Sequence, residues 1–341
     1  QKLENLKKIK LANAWMDPTF AKEITAANIY RKYLPTPEAS LLRLNVQGNY
    51  LGLYVNTEAV DKQFLQKQFN EKDGVLVKCD PVQVFCGNNT ANGNPDLKWM
   101  GADSANYYNS YDVKSDHGWG ELMELIEKIN FDFDNLGDIL NIDRVLWAFA
   151  VNSAILNLDT YNGYYVHNYY LYRTEDGLFQ MIPWDFDNSF AGAILGWDFF
   201  DPMAVYNYDT YGNQYAPNER PLLEKLLDDP YYKKLYNAHL RTVYIESLMD
   251  TDAVRASINQ LQATAYTAVV QDENKLFSMG QYSSNVEENL WTGWGFGGIM
   301  SMINGRNAYL SGLQTMFMPT PEISNMNLNG GVLTVDVDLA E

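Results

Sequence analysis

The stretch that most constrains this chain runs from Asn157 to Phe190, NLDTYNGYYVHNYYLYRTEDGLFQMIPWDFDNSF. It follows an apolar run at 143–158 that reads as a helix hydrophobic nearly all round, the buried centre of a helical lobe. Asp159 stands at the end of that run. Asn168 then precedes a period-2 strand at 169–172, Thr174-Glu175-Asp176-Gly177 is turn chemistry, and 178–182 is a second strand. Pro183-Trp184 leads directly into Asp185 and Asp187. A hairpin returns the chain, so the amide at its entrance and the acids at its exit can face one metal. A carboxylate that orients a hydroxyl, with an amide oxygen and a second carboxylate holding a metal on nucleotide phosphates, is the pattern of phosphoryl transfer. Plainer readings exist: strand-end acids that cap a turn, and an asparagine that bonds local backbone. The joint occurrence favours chemistry, as does an acid at the unfavourable negative end of a helix dipole.

The rest of the chain bounds that reading. At 341 residues it can bury a large core in one two-lobed domain or two domains. Its formal charge of −18 argues against a nucleic-acid partner or an anionic membrane surface. The same charge means that a bound triphosphate needs local lysines, arginines or a divalent cation. No apolar run approaches a membrane span. The chain opens on Gln1 rather than on a signal peptide, so an earlier leader or further N-terminal sequence is expected to have been removed. Cys79 and Cys86, seven apart, allow either a small disulfide loop or two buried thiols. His117, His167 and His239 are too scattered for a zinc site.

In order, 7–11 reads as a strand, and Asp17-Pro18 as the start of a helix to about Tyr33. Strands at 39–46 and 50–55 flank a Gln47-Gly48-Asn49 turn, a helix covers 60–69, and 74–78 is another strand. Residues 80–118 lack periodicity and read as a long surface insertion. Helices follow from Glu121, and after an aromatic, Gly-rich loop at 191–218 they dominate 221–317. Trp184, Trp197, Trp291 and Trp294 read as core or loop anchors. Pro319-Thr320-Pro321 is a linker, and the alternation at 332–338 reads as the first strand of a further β module. The fold class is α+β: a small antiparallel-sheet lobe at 1–79, an insertion at 80–120 and a helical lobe at 121–318. A linker and the start of a β-sandwich module follow at 319–341.

On these residues the chain resembles the CotH family, atypical protein kinases of the spore coat. The resemblance rests on Gln47-Gly48-Asn49-Tyr50-Leu51-Gly52-Leu53-Tyr54 with Glu58, on 74–78, on Asp159-Thr160-Tyr161 with 167–172, and on 182–190. Arg306-Asn307-Ala308-Tyr309-Leu310 is similar to the family's closing helix. It implies a two-lobed protein-kinase-like fold and ATP-dependent phosphorylation of Ser or Thr in a protein substrate, with Mg²⁺ or Mn²⁺. It also implies a location outside the cell or on the cell or spore surface. By position Asp159 would be the catalytic base, Asn168 and Asp185 metal ligands, and Asp187 a further metal ligand or supporting acid. Lys10 and Glu23 would form the pair that positions phosphates, Glu58 would lie near the adenine hinge, and Lys78 is a further nucleotide-binding candidate. Two departures stand out. Asp159 and Asn168 are nine apart, whereas kinases usually separate base and amide by about five. The family's Gly- and Ser-containing first strands are also absent from this sequence.

Two other functions stand beside the kinase reading. A surface or coat module can keep the fold without turnover. A carbohydrate-active protein would use paired carboxylates about 5–9.5 Å apart, and aromatic richness is its only other support.

Overall fold

The computed structural model describes residues 8–81, 93–196, 205–208, 219–313 and 322–338. It is α+β, built from small antiparallel sheets and a larger helical body. The first sheet has the order β1 (Lys10–Ala12), β3 (Asn49–Thr57), β2 (Ala39–Val46). Val46 pairs with Asn49, and Gln47 and Gly48 both take positive φ, 51° and 86°. That is the two-residue turn whose twist matches a hairpin, which is why the polar turn residues sit there.

Helix α1 (Lys22–Tyr30) connects β1 to β2. It starts later than Asp17-Pro18 predicts. The Asp17 carboxylate accepts Thr19 N–H, Thr19 Oγ–H and Lys22 N–H, and Phe20 turns the chain with φ 56°. Asp17 therefore closes a tight turn before the helix. Helix α2 (Lys62–Phe69) is capped by Asp61, which accepts Gln63 N–H and Phe64 N–H, and ends on Asn70 in the left-handed region.

The second sheet has the order β5 (Tyr111–Val113), β4 (Val75–Cys79), β6 (Tyr169–Arg173), β7 (Phe179–Pro183), antiparallel throughout. The strand at 75–79, assigned from sequence to the first lobe, thus pairs with the hairpin strand β6 and not with β2 or β3. Its alternation explains why. Val75, Val77 and Cys79 enter the main core, while Leu76 joins Phe64, Leu65, Tyr170, Tyr172, Ile182 and Trp184 under α2. The sheet is buried on both faces.

The remaining helices are α3 (Trp119–Phe131), α4 (Ile142–Ala154), α5 (Pro221–Asp228), α6 (Pro230–Val243), α7 (Thr251–Gln271), α8 (Met279–Ser284) and α9 (Ile299–Ser311), of which α7 and α8 pack on the first sheet. α4 ends four residues before its apolar run does. Leu156 turns with φ 53° and Asn157 N–H bonds Asn152 O at 2.9 Å, so Asp159 lies in a loop and not at a helix end. Among the described residues no helix is long and apolar enough to cross a membrane.

Two further readings change, and others fall partly outside the described residues. The described part of the 80–118 segment is not all surface: Leu97, Tyr107 and Tyr111 are buried, and β5 extends the sheet. Cys79 is buried, and Cys86 and Trp197 lie outside the described residues, as does the Pro319-Thr320-Pro321 linker. The strand at 332–338 is the second of a hairpin, β11 (Val332–Asp338) pairing with β10 (Glu322–Asn329). β10 escapes detection because a register irregularity between Ile323 and Asn325 breaks its alternation.

Candidate active site

The loop joining α4 to β6 is held from several sides. Asn152 donates to Asn162 Oδ1 at 2.6 Å, and Asn162 donates to Phe149 O at 3.2 Å. The buried Arg220 guanidinium reaches Tyr161 O at 2.9 Å, Tyr164 O at 3.4 Å and Gly163 O at 3.5 Å. A Cβ on Gly163 would sit 2.1 Å from Leu158 O, so the loop doubles back too closely for a side chain there. These contacts accommodate the long spacing between Asp159 and Asn168.

Asp159 is buried, and polar groups surround its carboxylate. Oδ2 accepts from Asn188 Nδ2 at 2.9 Å and from Asn168 Nδ2 at 3.2 Å, and Oδ1 faces His167 Nε2 at 3.2 Å. Burial pushes its pKa up, while His167 and Asn188 pull it back. Asn168 also donates to Asp159 O at 3.0 Å. Because Nδ2 is committed to Asp159, Oδ1 is the amide atom left for a ligand. The hairpin register does the rest. Tyr169 pairs with Pro183 and Trp184 N–H bonds Asn168 O at 3.2 Å, so Asn168 stands beside the exit that carries Asp185.

Asp185, at φ 58°, meets Lys10 Nζ at 3.3 Å, and the same ammonium lies 4.3 Å from the Trp184 ring centroid. Asp187 is half-buried, and its pKa is driven well up by burial, then by Asp185 and Glu23. Glu23 is buried on α1, accepts the Thr57 hydroxyl at 2.5 Å, and is raised by burial against the opposing charge of Lys10. Between Asp185 and Asp187, Phe186 stacks on Tyr30 of α1 with centroids 4.7 Å apart. The Tyr30 hydroxyl donates to Asn152 and accepts from Asn157.

Asp159, Asn168, Asp185, Asp187, Lys10 and Glu23 thus come together. The expected Lys10–Glu23 ion pair is replaced: Lys10 pairs with Asp185, because Glu23 is turned toward Thr57. Lys78 lies nearby, pairs with Asp80, and lines a cleft of about 620 Å³. The cleft has Leu76, Tyr170 and Trp184 on its walls, Ala59 and Val60 on its rim, and Lys8, Lys10, Lys62, Lys78 and Lys114 around it. Five lysines line this one cleft, four of them paired with acids: Lys10 with Asp185, Lys62 with Asp73, Lys78 with Asp80 and Lys114 with Asp112. Glu58 is not brought in. Its carboxylate binds Lys67 and Glu38 N–H, and it is the next residues, Ala59 and Val60, that line the cleft. Trp184 is buried as expected of an anchor. Trp291 and Trp294 are exposed, with Trp294 edge-on to Trp15 at 5.6 Å.

Sequence reasoning missed His167, Asn188, Arg220 and Lys22. His167 and Asn188 adjoin motif residues and could have been flagged by adjacency; Arg220 and Lys22 carried no signal. Lys22, on α1, is fully buried, and burial pushes its pKa down to about 8 against the charges of Asp17 and Asp187.

Among the described residues no three of His, Cys, Asp and Glu form a ready-made metal cage. What converges is a hard oxygen set, one amide and two carboxylates. Such a set suits Mg²⁺ or Mn²⁺ when phosphates and water complete the shell.

The profile of the CotH kinase protein family matches residues 1–290. The inner spore coat protein H of Bacillus subtilis (strain 168) is similar, 22% identical over 277 residues that cover 79% of this chain and 70% of that protein. With the family profile spanning most of its length, this chain belongs to the CotH kinase family.

Proposed function

We propose that the protein is an ATP- and divalent-metal-dependent protein Ser/Thr kinase with a two-lobed, kinase-like arrangement. The observation that carries this is the convergence of Asp159, Asn168 and Asp185 at one end of a hairpin, beside a lysine-rimmed cleft. The chain order supports it. A strand bearing Lys10, a helix bearing Glu23, and a hairpin that pairs back onto the first strand repeat the lysine-strand and glutamate-helix order of protein kinases.

In this reading the cleft takes the nucleotide, with Tyr170 and Trp184 against its base and Lys10 and Lys78 toward its phosphates. A bound Mg²⁺ or Mn²⁺ would neutralise charge building on the phosphates. Asn168 Oδ1, Asp185 and Asp187 would hold it. Asp159 orients the acceptor hydroxyl and takes its proton on Oδ1. Asn168 and Asn188 fix the other oxygen, and His167 keeps the accepting oxygen in place. The relative is an inner spore coat protein by name, which supports a spore- or cell-surface location for this chain too.

The test is transfer from labelled ATP, with Mg²⁺ or Mn²⁺, to serine-rich peptides and to the protein itself. Asp159→Asn and Asp185→Asn should stay folded and each lose about 10²-fold or more in rate. A wild-type protein that binds ATP without transferring phosphate would make it a binding module of the same fold.

A further inference from the structure

Lys10 is not paired with the acid that the kinase order of elements would give it. Its Nζ meets Asp185 Oδ1 at 3.3 Å and lies 4.3 Å from the centroid of the neighbouring Trp184 ring. Glu23 instead accepts the Thr57 hydroxyl at 2.5 Å. Thr57 is the register partner of Lys10 across β1 and β3, and cross-strand partners project to the same face. Lys10 therefore leaves the sheet beside the hydroxyl that holds Glu23. One lysine has two carboxylates around it, one on α1 and one at the hairpin exit, and it takes the second.

That choice has a consequence for Asp185. Its Oδ1 already faces a cation supplied by the chain, and a divalent ion at the same carboxylate would meet the repulsion of that ammonium. The pair is also easy to give up. The Lys10 and Asp185 side chains are 30% and 33% exposed, and ion pairs this open to water are weakly held. Lys10 lines the cleft, where phosphate oxygens would offer its ammonium more charge than one carboxylate does. The other paired lysines of the cleft, Lys62, Lys78 and Lys114, stand against Asp73, Asp80 and Asp112. Among the described residues, Lys10 alone is paired with a member of the oxygen set.

We propose that Lys10 is a displaceable counter-ion, which occupies Asp185 until nucleotide phosphates draw its ammonium into the cleft, so that metal and nucleotide bind as a unit. The proposal rests on the kinase reading above. Lys10 released from Asp185 comes to the side of Glu23, and the lysine–glutamate pair expected from the order of elements belongs to the loaded protein. By linkage the coupling is reciprocal: each ligand strengthens the other by the same factor.

The experiment titrates Mn²⁺ into the whole protein, with and without saturating ADP, and reads free Mn²⁺ by its paramagnetic resonance against protein-free controls. Wild type should bind Mn²⁺ alone weakly, and at least about tenfold more tightly with ADP. Lys10→Met and Lys10→Gln remove the competing charge. Each should bind Mn²⁺ alone about fivefold more tightly than wild type, and gain less from ADP. Lys10→Arg keeps a cation and should bind Mn²⁺ alone as weakly as wild type. In an Asp185→Asn background Lys10→Met should bring little gain, because the contested oxygen is gone. Lys114→Met removes a cleft lysine paired elsewhere and should leave Mn²⁺ affinity near that of wild type. Mn²⁺ binding by wild type that ADP does not strengthen overturns this proposal alone. So does Mn²⁺ affinity that is unchanged or weakened in both neutral Lys10 variants, or an equal gain in Lys114→Met, which would assign the effect to the overall charge of the cleft. A wild type that takes up no Mn²⁺ with or without ADP overturns the kinase reading and this proposal with it.

Discussion

Asp159 shows how a site is made by residues that do no chemistry themselves. One of its oxygens is held by two amides, and Asn188 is the nearer at 2.9 Å. Asn188 also accepts Ala193 N–H at 3.2 Å, so it ties Asp159, the proposed base, to the loop leaving the Asp-Phe-Asp segment. Asn188→Ala removes both bonds inside a buried pocket, leaving Asp159 Oδ2 with Asn168 alone. Stability should fall by about 1–3 kcal/mol, and phosphate transfer by about 10–100-fold, as when partners behind other catalytic groups are lost. Melting curves and initial rates read the two effects separately. A variant with wild-type rate would show that Asn168 suffices to hold the base.

Among the elements, α1 is the one on which the site depends, since it carries Glu23 and stacks Tyr30 on Phe186. It is fastened to the helical body at its far end, where Tyr33 stacks on Trp147 at 4.8 Å, Trp147 on His239 at 3.9 Å, and His239 meets Asp143 at 2.8 Å. Burial holds the His239 pKa below its usual value, with Asp143 opposing. The folded protein therefore takes up this proton later than the unfolded chain does. Stability that is full above the ordinary histidine pKa of about 6.5 is lost as pH falls through the lowered folded value. His239→Phe keeps the stack and removes the proton. Its melting temperature should decline less than that of wild type between about pH 7 and pH 5, the histidine window; parallel decline would place the acid sensitivity elsewhere. The hairpin was legible in sequence because turn residues and the two-residue pleat are local signals that put Asn168 and Asp185 at adjacent ends. α1's role was not legible. It is buried on nearly every side, so no stripe marks its working face, and Tyr30 meets Asn152 across 122 positions. β5, three residues long, offered no alternation to read.

For the whole molecule the controlling facts are two docked parts and one excess of charge. The first sheet is joined to the helical body through Asp272, which follows α7 and accepts Leu53 N–H at 2.9 Å, and through a cluster of Phe20, Ile24, Leu53, Val55, Ala265 and Val269. The cleft between β1 and the second sheet is therefore a built feature. Around it lies a surface carrying −18 in total, with lysines concentrated at the cleft itself. A field of this sign repels acidic peptides and draws in basic ones, while in the proposed reading the local lysines and a metal would serve the nucleotide. Matched serine peptides flanked by Lys or Arg should then have KM values several-fold below those flanked by Asp or Glu at low salt, with kcat little changed. The difference should shrink as salt is raised, because the screening length falls from about 30 Å at 0.01 M to about 3 Å at 1 M. Initial rates against peptide concentration at low and high ionic strength read this directly. A basic preference that survives high salt would mean direct carboxylate contacts to the peptide in place of the long-range field. No preference at low salt would mean that acceptors are selected by shape at the site and not by the charge of the protein.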